Sequence, residues 1–408
     1  MSRINNAVRH NTDYFVSVLL LLQPCFKHLM PTIIGLPLFF IGFLLLLLLH
    51  CKPSQIALRS LSFIPIVGLS VLGTLLNGVV DSDYYLFVFG ALAFALASGD
   101  TRWVKPFFIV FLVMCLIHCL ATISFYLLPD FGRQIIRNSS LSQYPTARDY
   151  RSALSGSYSW NGMYTSLCFI LSSGVAFSGS RHSKIGCLLC GISAIALLLT
   201  TKRAHLMFSI AAFTLMFYLA NRTKGISKFV KFCLIVLLIL IAFGISSIYF
   251  PQLSFVFDRF SETSGNADEL LSGRTYLWQH ALDQWTNRPI FGQGWASYKF
   301  SWIDGGTPVV SVAAHCVLLQ LLAETGLFGL SLAIIPFFIL IKGAFETSIH
   351  LDSYSAGTRS LVLASAGIVA FFILYSFCGN PLYDSPMFIS MLAIFSFYTG
   401  SSVSIKFN

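Results

Sequence analysis

The sequence predicts an all-α, polytopic integral membrane protein. Of 408 residues, 56% are hydrophobic and only 10% are charged, which is far from the balance of a soluble domain. Apolar runs of roughly 16 to 25 residues recur, the length needed to cross a hydrocarbon core of about 30 Å. Backbone polar groups inside lipid must be satisfied within their own segment, so these runs are helices.

About twelve spans are expected, at residues 13–26, 32–50, 60–79, 84–99, 104–128, 158–178, 184–201, 204–220, 229–249, 327–342, 360–378 and 386–401. The first, fourth, seventh and eighth are short, so an eleven-span count also fits. The first follows Arg3 and Arg9 in the manner of a signal peptide. No small-residue cleavage site comes after it, and it reads as an uncleaved span. The ten cysteines fall mostly inside apolar runs. Cys187 and Cys190, with no second pair and no nearby His, read as small buried hydrophobes rather than metal ligands, as do Cys115 and Cys119.

Lysine and arginine set the orientation. With the N-terminus inside, Lys52, Arg59, Arg102, Lys105, Arg181, Lys184, Arg222, Lys224, Lys228, Lys231, Lys342 and Arg359 fall on inside loops. With Arg3, Arg9 and Lys406 they make fifteen of the 26 basic residues. Both termini are then cytoplasmic. The formal net charge of +10 is largely topological. No soluble basic domain exists to carry nucleic acid, so nucleic acid is not an expected partner; membrane lipids are.

Lys202 and Arg203 break the pattern, because they occupy a very short outward turn between the seventh and eighth spans. They either snorkel to lipid phosphates or form an anion site at the outer face. Two outward loops are long. The first, 129–158, carries Arg133, Arg137, Arg148 and Arg151, and its segment ARDYR (147–151) sets Arg148 and Arg151 three residues apart, neighbours on a helix. The second, 250–312, is too long for a mere connector. Within it Leu271, Arg274, Trp278, Ala281, Leu282 and Trp285 recur at helical spacing, and Asn287-Arg288-Pro289 ends the helix. Its tryptophans suit a membrane interface, with Arg274 pointing from the first turn toward the headgroups. Gly292 and Gly294 read as a turn.

His315 stands where the second long loop meets the next apolar run. A titratable group at such a boundary is a functional-site candidate. It reads either as a general base or as a hydrogen-bonded helix-start residue. On a helix from His315, Leu319 and Leu322 share its face, and Glu324 lies nearly opposite. Glu324 is therefore expected to close the helix end at Thr325-Gly326 rather than to orient His315. His280 and His118 read as structural. No carboxylate cluster appears in the outer loops, so neither a metal nor another cofactor is expected. Guanidinium groups grip phosphate oxygens in bidentate fashion, and histidine suits deprotonation of a hydroxyl near neutral pH. Together they suggest transfer of a group from a lipid diphosphate to a hydroxyl. A transporter or flippase of lipid-linked sugars could use the same arginines. It should also carry mid-span charges and matched broken helices, and neither is visible.

Three blocks carry a resemblance: LLLTTKRA (197–204), SGRTYLWQHAL (272–282) with RPIFGQG (288–294), and AHCVLLQLLAETGLFGL (314–330). In this order they resemble the O-antigen ligase/polymerase superfamily of bacterial envelope enzymes. The signature region is 195–345, preceded by membrane helices and the first outer loop (1–194) and followed by further membrane helices (346–408). The resemblance implies a GT-C-like, inverting, metal-independent glycosyltransferase of the inner membrane, working on its periplasmic side. The implied donor is an undecaprenyl-diphosphate-linked glycan. His315 would be the base, and Arg203 and Arg274 would bind the diphosphate, with Lys202, Arg148 and Arg151 as further phosphate contacts. Cys316 departs from the family's usual asparagine. One dominant outer loop and a short C-terminal tail favour an O-antigen ligase acting on lipid A–core oligosaccharide. The alternatives are an O-antigen polymerase and a protein O-oligosaccharyltransferase.

Overall fold

The computed structural model describes residues 2–77, 82–144, 147, 149–222, 274–300, 303–304, 307–308 and 313–400. The expected ninth span (229–249), most of the loop at 250–312, Arg148 and the inside lysines 224, 228 and 231 lie outside these residues. The described chain is all-helical apart from a two-residue antiparallel pairing of Ile303–Asp304 with Thr307–Pro308. A helix lies over every expected span that falls within it. Among the described residues, six helical stretches are long and apolar enough to cross a membrane, including Thr32–His50, Arg203–Asn221, Val317–Ile349 and Ala356–Ser376, and three apolar helices are shorter. The chain divides into two compact units.

The first unit comprises residues 1–111, 273–346 and 372–408. It contains α1 (Ser2–Phe26), α2 (Thr32–His50), α3 (Ile64–Asn77) and α4 (Ser82–Leu96). A short turn joins α1 to α2, and the two pack because Gly42 admits the α1 backbone: a Cβ there would meet Leu19 Cβ at 2.9 Å. Small residues allow this close approach where water supplies no driving force. Asp13 of α1 and His50 of α2 pair across the two helices. His50 Nε2 meets Asp13 Oδ1 at 2.8 Å, and Asp100, beside His50, binds Lys52 and Arg102. Buried charges need such partners.

The second unit comprises 112–272 and 347–371. Helix α5 (Val104–Leu127) enters it, followed by the short α6 (Pro129–Arg137). Its centre is α7 (Tyr158–Phe177), buried without interruption from Asn161 to Gly174. Around it lie α8 (Ser183–Leu199) and α9 (Arg203–Asn221). A Cβ at Gly186 would meet the Ala176 backbone nitrogen at 2.5 Å, which explains the tight α7–α8 approach.

The remaining helices complete the chain: α10 (Thr275–Asn287), α11 (Ser297–Phe300), α12 (Val317–Ile349), α13 (Ala356–Ser376) and α14 (Ser385–Thr399). All of α14 is buried, and in the first unit it packs on α4, where Gly90 admits Ile389. Helix α12 is broken at Gly326 (φ 64°, ψ −169°). This is the break expected at Thr325-Gly326, although the helix beyond it runs to Ile349 rather than ending near 342.

Candidate functional site

In the first unit the site is built on a crossing of two backbones. The segment 288–294 turns back through Gly292 (φ +70°) and Gly294 (φ +104°) and docks against the break in α12. Gln293 N donates to the Ala323 carbonyl at 2.9 Å, Gly294 N to Glu324 O at 2.7 Å, Leu327 N to Pro289 O at 2.9 Å and Phe328 N to Ile290 O at 3.0 Å. A side chain at Gly326 would strike Ile290 O at 2.3 Å. Only glycine fits there in both φ and space.

His315 sits on the turn before α12 with φ +52°. A non-glycine residue in the left-handed region costs of order 1–3 kcal/mol and persists only where its surroundings over-determine it. Its neighbours are anchored: Ala314 is buried with Ala281 of α10, Tyr298 and Ala323, and Cys316 is buried beside it. The side chain of His315 itself stays half-exposed.

Arg274 immediately precedes α10. Its Nη1 donates to the backbone carbonyl of Cys378 at 2.7 Å, in the loop between α13 and α14. The guanidinium is therefore held by protein, not turned toward headgroups from a first helical turn as the spacing predicts. The buried face of α10 is Leu277, Ala281 and Gln284, because the helix must cover Tyr298, whose hydroxyl donates to Leu277 O at 2.8 Å. The helix ends at Asn287 as expected, closed by Trp285 Nε1 donating to Pro289 O at 3.1 Å. Ala314 N, just before His315, and Asn380 Nδ2 of the Cys378 loop both donate to Gln320 Oε1, so Gln320 ties the turn of His315 to the loop that holds Arg274.

Behind them lies a network that sequence reasoning missed. Glu324 is fully buried; its Oε2 accepts from Ala296 N at 3.0 Å and from the Tyr383 hydroxyl at 2.6 Å, and its Oε1 accepts from Gln320 Nε2 at 3.0 Å. Gln320 Oε1 accepts from Asn380 Nδ2 and, at 3.2 Å, from Ala314 N. Glu324 stands at the helix break, where the sequence predicts it to close the helix end, and its side chain is the hub of this network. Gln320 and Glu324, four residues apart in an apolar run, share one helix face; that pairing was the available signal. Nothing in the sequence points to Asn380 or Tyr383. His280 is bound to Gln284 at 3.0 Å, and burial lowers its basicity, in keeping with a structural role.

The second unit holds the other expected cations. Thr201 takes φ +56° in the turn between α8 and α9, which places half-buried Arg203 in the first turn of α9. Lys202 lies over Gly162 of α7, where a Cβ would meet its Cγ at 3.2 Å, and its Nζ stands 4.0 Å from the Tyr158 ring centroid. Asn161, also on α7, donates to Thr122 Oγ1 at 2.8 Å and to the Arg151 carbonyl at 2.9 Å. The first turns of α7 therefore gather Lys202 and the Arg151 backbone. The helix expected over 147–151 is absent at the described residues, which form turns. Asp149 captures the Arg151 N–H at 2.9 Å and its guanidinium at 2.6–2.9 Å, a local bond that competes with helix formation. His118 is buried and stacks on Tyr164 at 4.0 Å.

Helices suited to a bilayer by length and composition describe a multi-pass membrane protein. Residues 167–334 match the Wzy_C family model, described as O-antigen ligase, which supports the resemblance drawn from the three sequence blocks. The match takes in Arg203, Arg274 and His315. No curated protein matches the chain. The match supports a family of the ligase/polymerase type, whose activity is glycosyltransferase-like on lipid-linked glycans.

Proposed function

We propose that this protein is an O-antigen ligase of the bacterial inner membrane, with about twelve spans, both termini cytoplasmic and the site periplasmic. It transfers a glycan from undecaprenyl diphosphate to a sugar hydroxyl of lipid A–core oligosaccharide. The observation that carries this reading is His315 held at φ +52° on a turn tied through Gln320 and Asn380 to the loop that holds Arg274. Strain of this kind clusters at functional sites.

His315 takes the proton of the acceptor hydroxyl. The oxygen attacks the anomeric carbon from the side opposite the diphosphate and inverts it. The bond to the diphosphate breaks with its electron pair on the leaving oxygen. Arg274 and Arg203 neutralise that charge without a metal, as preorganised donors do in a dry site, while Lys202, Arg148 and Arg151 bind phosphates of donor or acceptor.

The test is His315→Ala in purified, reconstituted protein given a lipid-diphosphate oligosaccharide and lipid A–core. Loss of a general base should lower kcat by about 10²–10⁴-fold with donor binding retained. Wild-type kcat sinks the mechanism. In a deletion strain, polymerised lipid-linked glycan accumulating beside bare core supports the ligase. A core carrying one repeat unit means the polymerase instead.

A further inference from the structure

We infer that Gln320 is the positioning residue that holds His315 in its left-handed turn, with its amide orientation imposed by the buried carboxylate of Glu324. The inference rests on the reading of His315 as the base.

The polarity of the network leaves one arrangement. The Ala314 N–H can only donate, so the end of Gln320 facing it at 3.2 Å is the carbonyl oxygen. The NH2 end then faces Glu324 Oε1 at 3.0 Å. Glu324 receives it together with the Ala296 N–H and the Tyr383 hydroxyl, and three donors converging on one carboxyl require an acceptor at both oxygens. Asn380 adds a second donor to the Gln320 oxygen. Gln320 and Glu324 are both fully buried, so water cannot replace either partner, and a reversed amide would leave the Ala314 N–H unsatisfied at a cost of about 1–3 kcal/mol.

Ala314 is the residue before His315. Fixing its N–H fixes the peptide that enters the left-handed turn, and with it the direction in which the imidazole leaves the backbone. Asn380 lies two residues from Cys378, whose carbonyl holds Arg274. One buried network therefore ties the turn that carries the histidine to the loop that holds the arginine.

The test exchanges the two polar ends. Gln320→Glu alone sets two carboxylates against each other, and Glu324→Gln alone sets two amides against each other with one hydrogen bond reversed. The double variant Gln320→Glu/Glu324→Gln restores every donor and acceptor: the new amide donates to the new carboxylate, which still accepts from Ala314 and Asn380. In reconstituted protein with a lipid-diphosphate oligosaccharide and lipid A–core, each single variant should lose about 100-fold in kcat, the cost of a misplaced catalytic group, while donor KM stays near wild type. The double variant should recover most of that kcat. A role limited to core stability predicts recovery of the unfolding temperature without recovery of kcat, and that result overturns the inference, as does wild-type kcat in either single variant. If the singles fail to fold, the kcat of the double variant decides alone: recovery supports the inference and a slow, folded enzyme overturns it. His315→Ala separates the two levels. An inactive His315→Ala beside a fully active Gln320→Glu removes the positioning role only, whereas an active His315→Ala removes the base and the inference with it.

Discussion

Arg274 Nη1 donates to the carbonyl of Cys378 at 2.7 Å, across 104 residues of chain. One nitrogen of the guanidinium is thereby committed to the protein, and the rest of the planar group is held at a set angle. A charged donor bound to a backbone acceptor contributes about 1.5–3 kcal/mol and removes the rotamer freedom that an unheld arginine would lose on meeting a ligand.

Arg274→Lys should therefore not be conservative. A lysine offers one compact ammonium that cannot hold Cys378 and also present a fork to a diphosphate. The expected result is a fall in kcat/KM of roughly 10–100-fold, the equivalent of about 1.5–3 kcal/mol, measured in the reconstituted transfer assay. Wild-type kinetics would reduce Arg274 to a structural tie.

Gly326→Ala tests the backbone crossing. The added Cβ would lie 2.3 Å from Ile290 O and 2.7 Å from Gly292 N, at φ +64°. Strain and collision together should cost more than about 3 kcal/mol, read as a large drop in the unfolding temperature in detergent. Gly68, with nothing within 4 Å of such a Cβ, is the control and should tolerate alanine.

Asn161→Ala should strip the Arg151 carbonyl of its side-chain donor and loosen the turn before α7. A lost buried hydrogen bond with its partner left behind costs about 1–3 kcal/mol. Thermal unfolding should report the loss, and proteolysis near residues 149–157 should accelerate. Unchanged protection of that segment would count against the anchoring role of Asn161.

Asp384 gives a pH dependence. Burial pushes its carboxyl up to about 7, against the pull of Lys27 and Lys299. An acid whose pKa is raised on folding binds its proton more tightly in the native state. Its contribution to stability is thus most favourable below the ordinary carboxylate range, and it falls as pH rises from about 4 to about 7. Asp384→Asn should flatten that slope in unfolding temperature against pH; an unaltered slope rules the group out as its source.

Chelation gives a simple check on the chemistry. EDTA should leave transfer intact, because the proposed charge stabilisation comes from arginines. Loss of activity, restored by a divalent cation, would overturn the metal-independent mechanism.

Much of the helical framework was legible because span length, glycine breaks and proline stops are local. The end of α10 at Asn287 and the break in α12 at Gly326 fall where the residues indicate, since each is decided within a few positions along the chain. Within the segment 147–151, expected to be helical, the described residues 149–151 form no helix, for an equally local reason: Asp149 accepts the Arg151 N–H. The position of His315 as a boundary histidine was also legible, but its backbone conformation was not. A left-handed φ at a histidine is imposed from outside the segment.

By itself the sequence determined that the chain forms membrane-length helices and that His315, Arg203 and Arg274 stand at the ends of helices, because apolar length and helix punctuation are properties of short windows. Only the tertiary structure decided where the Arg274 guanidinium points and what Glu324 is for. Both depend on the loop at 378–384, which meets Arg274 across 104 residues and Glu324 across 59. A buried polar group takes whatever partner packing brings within reach, and no window of sequence spans that distance.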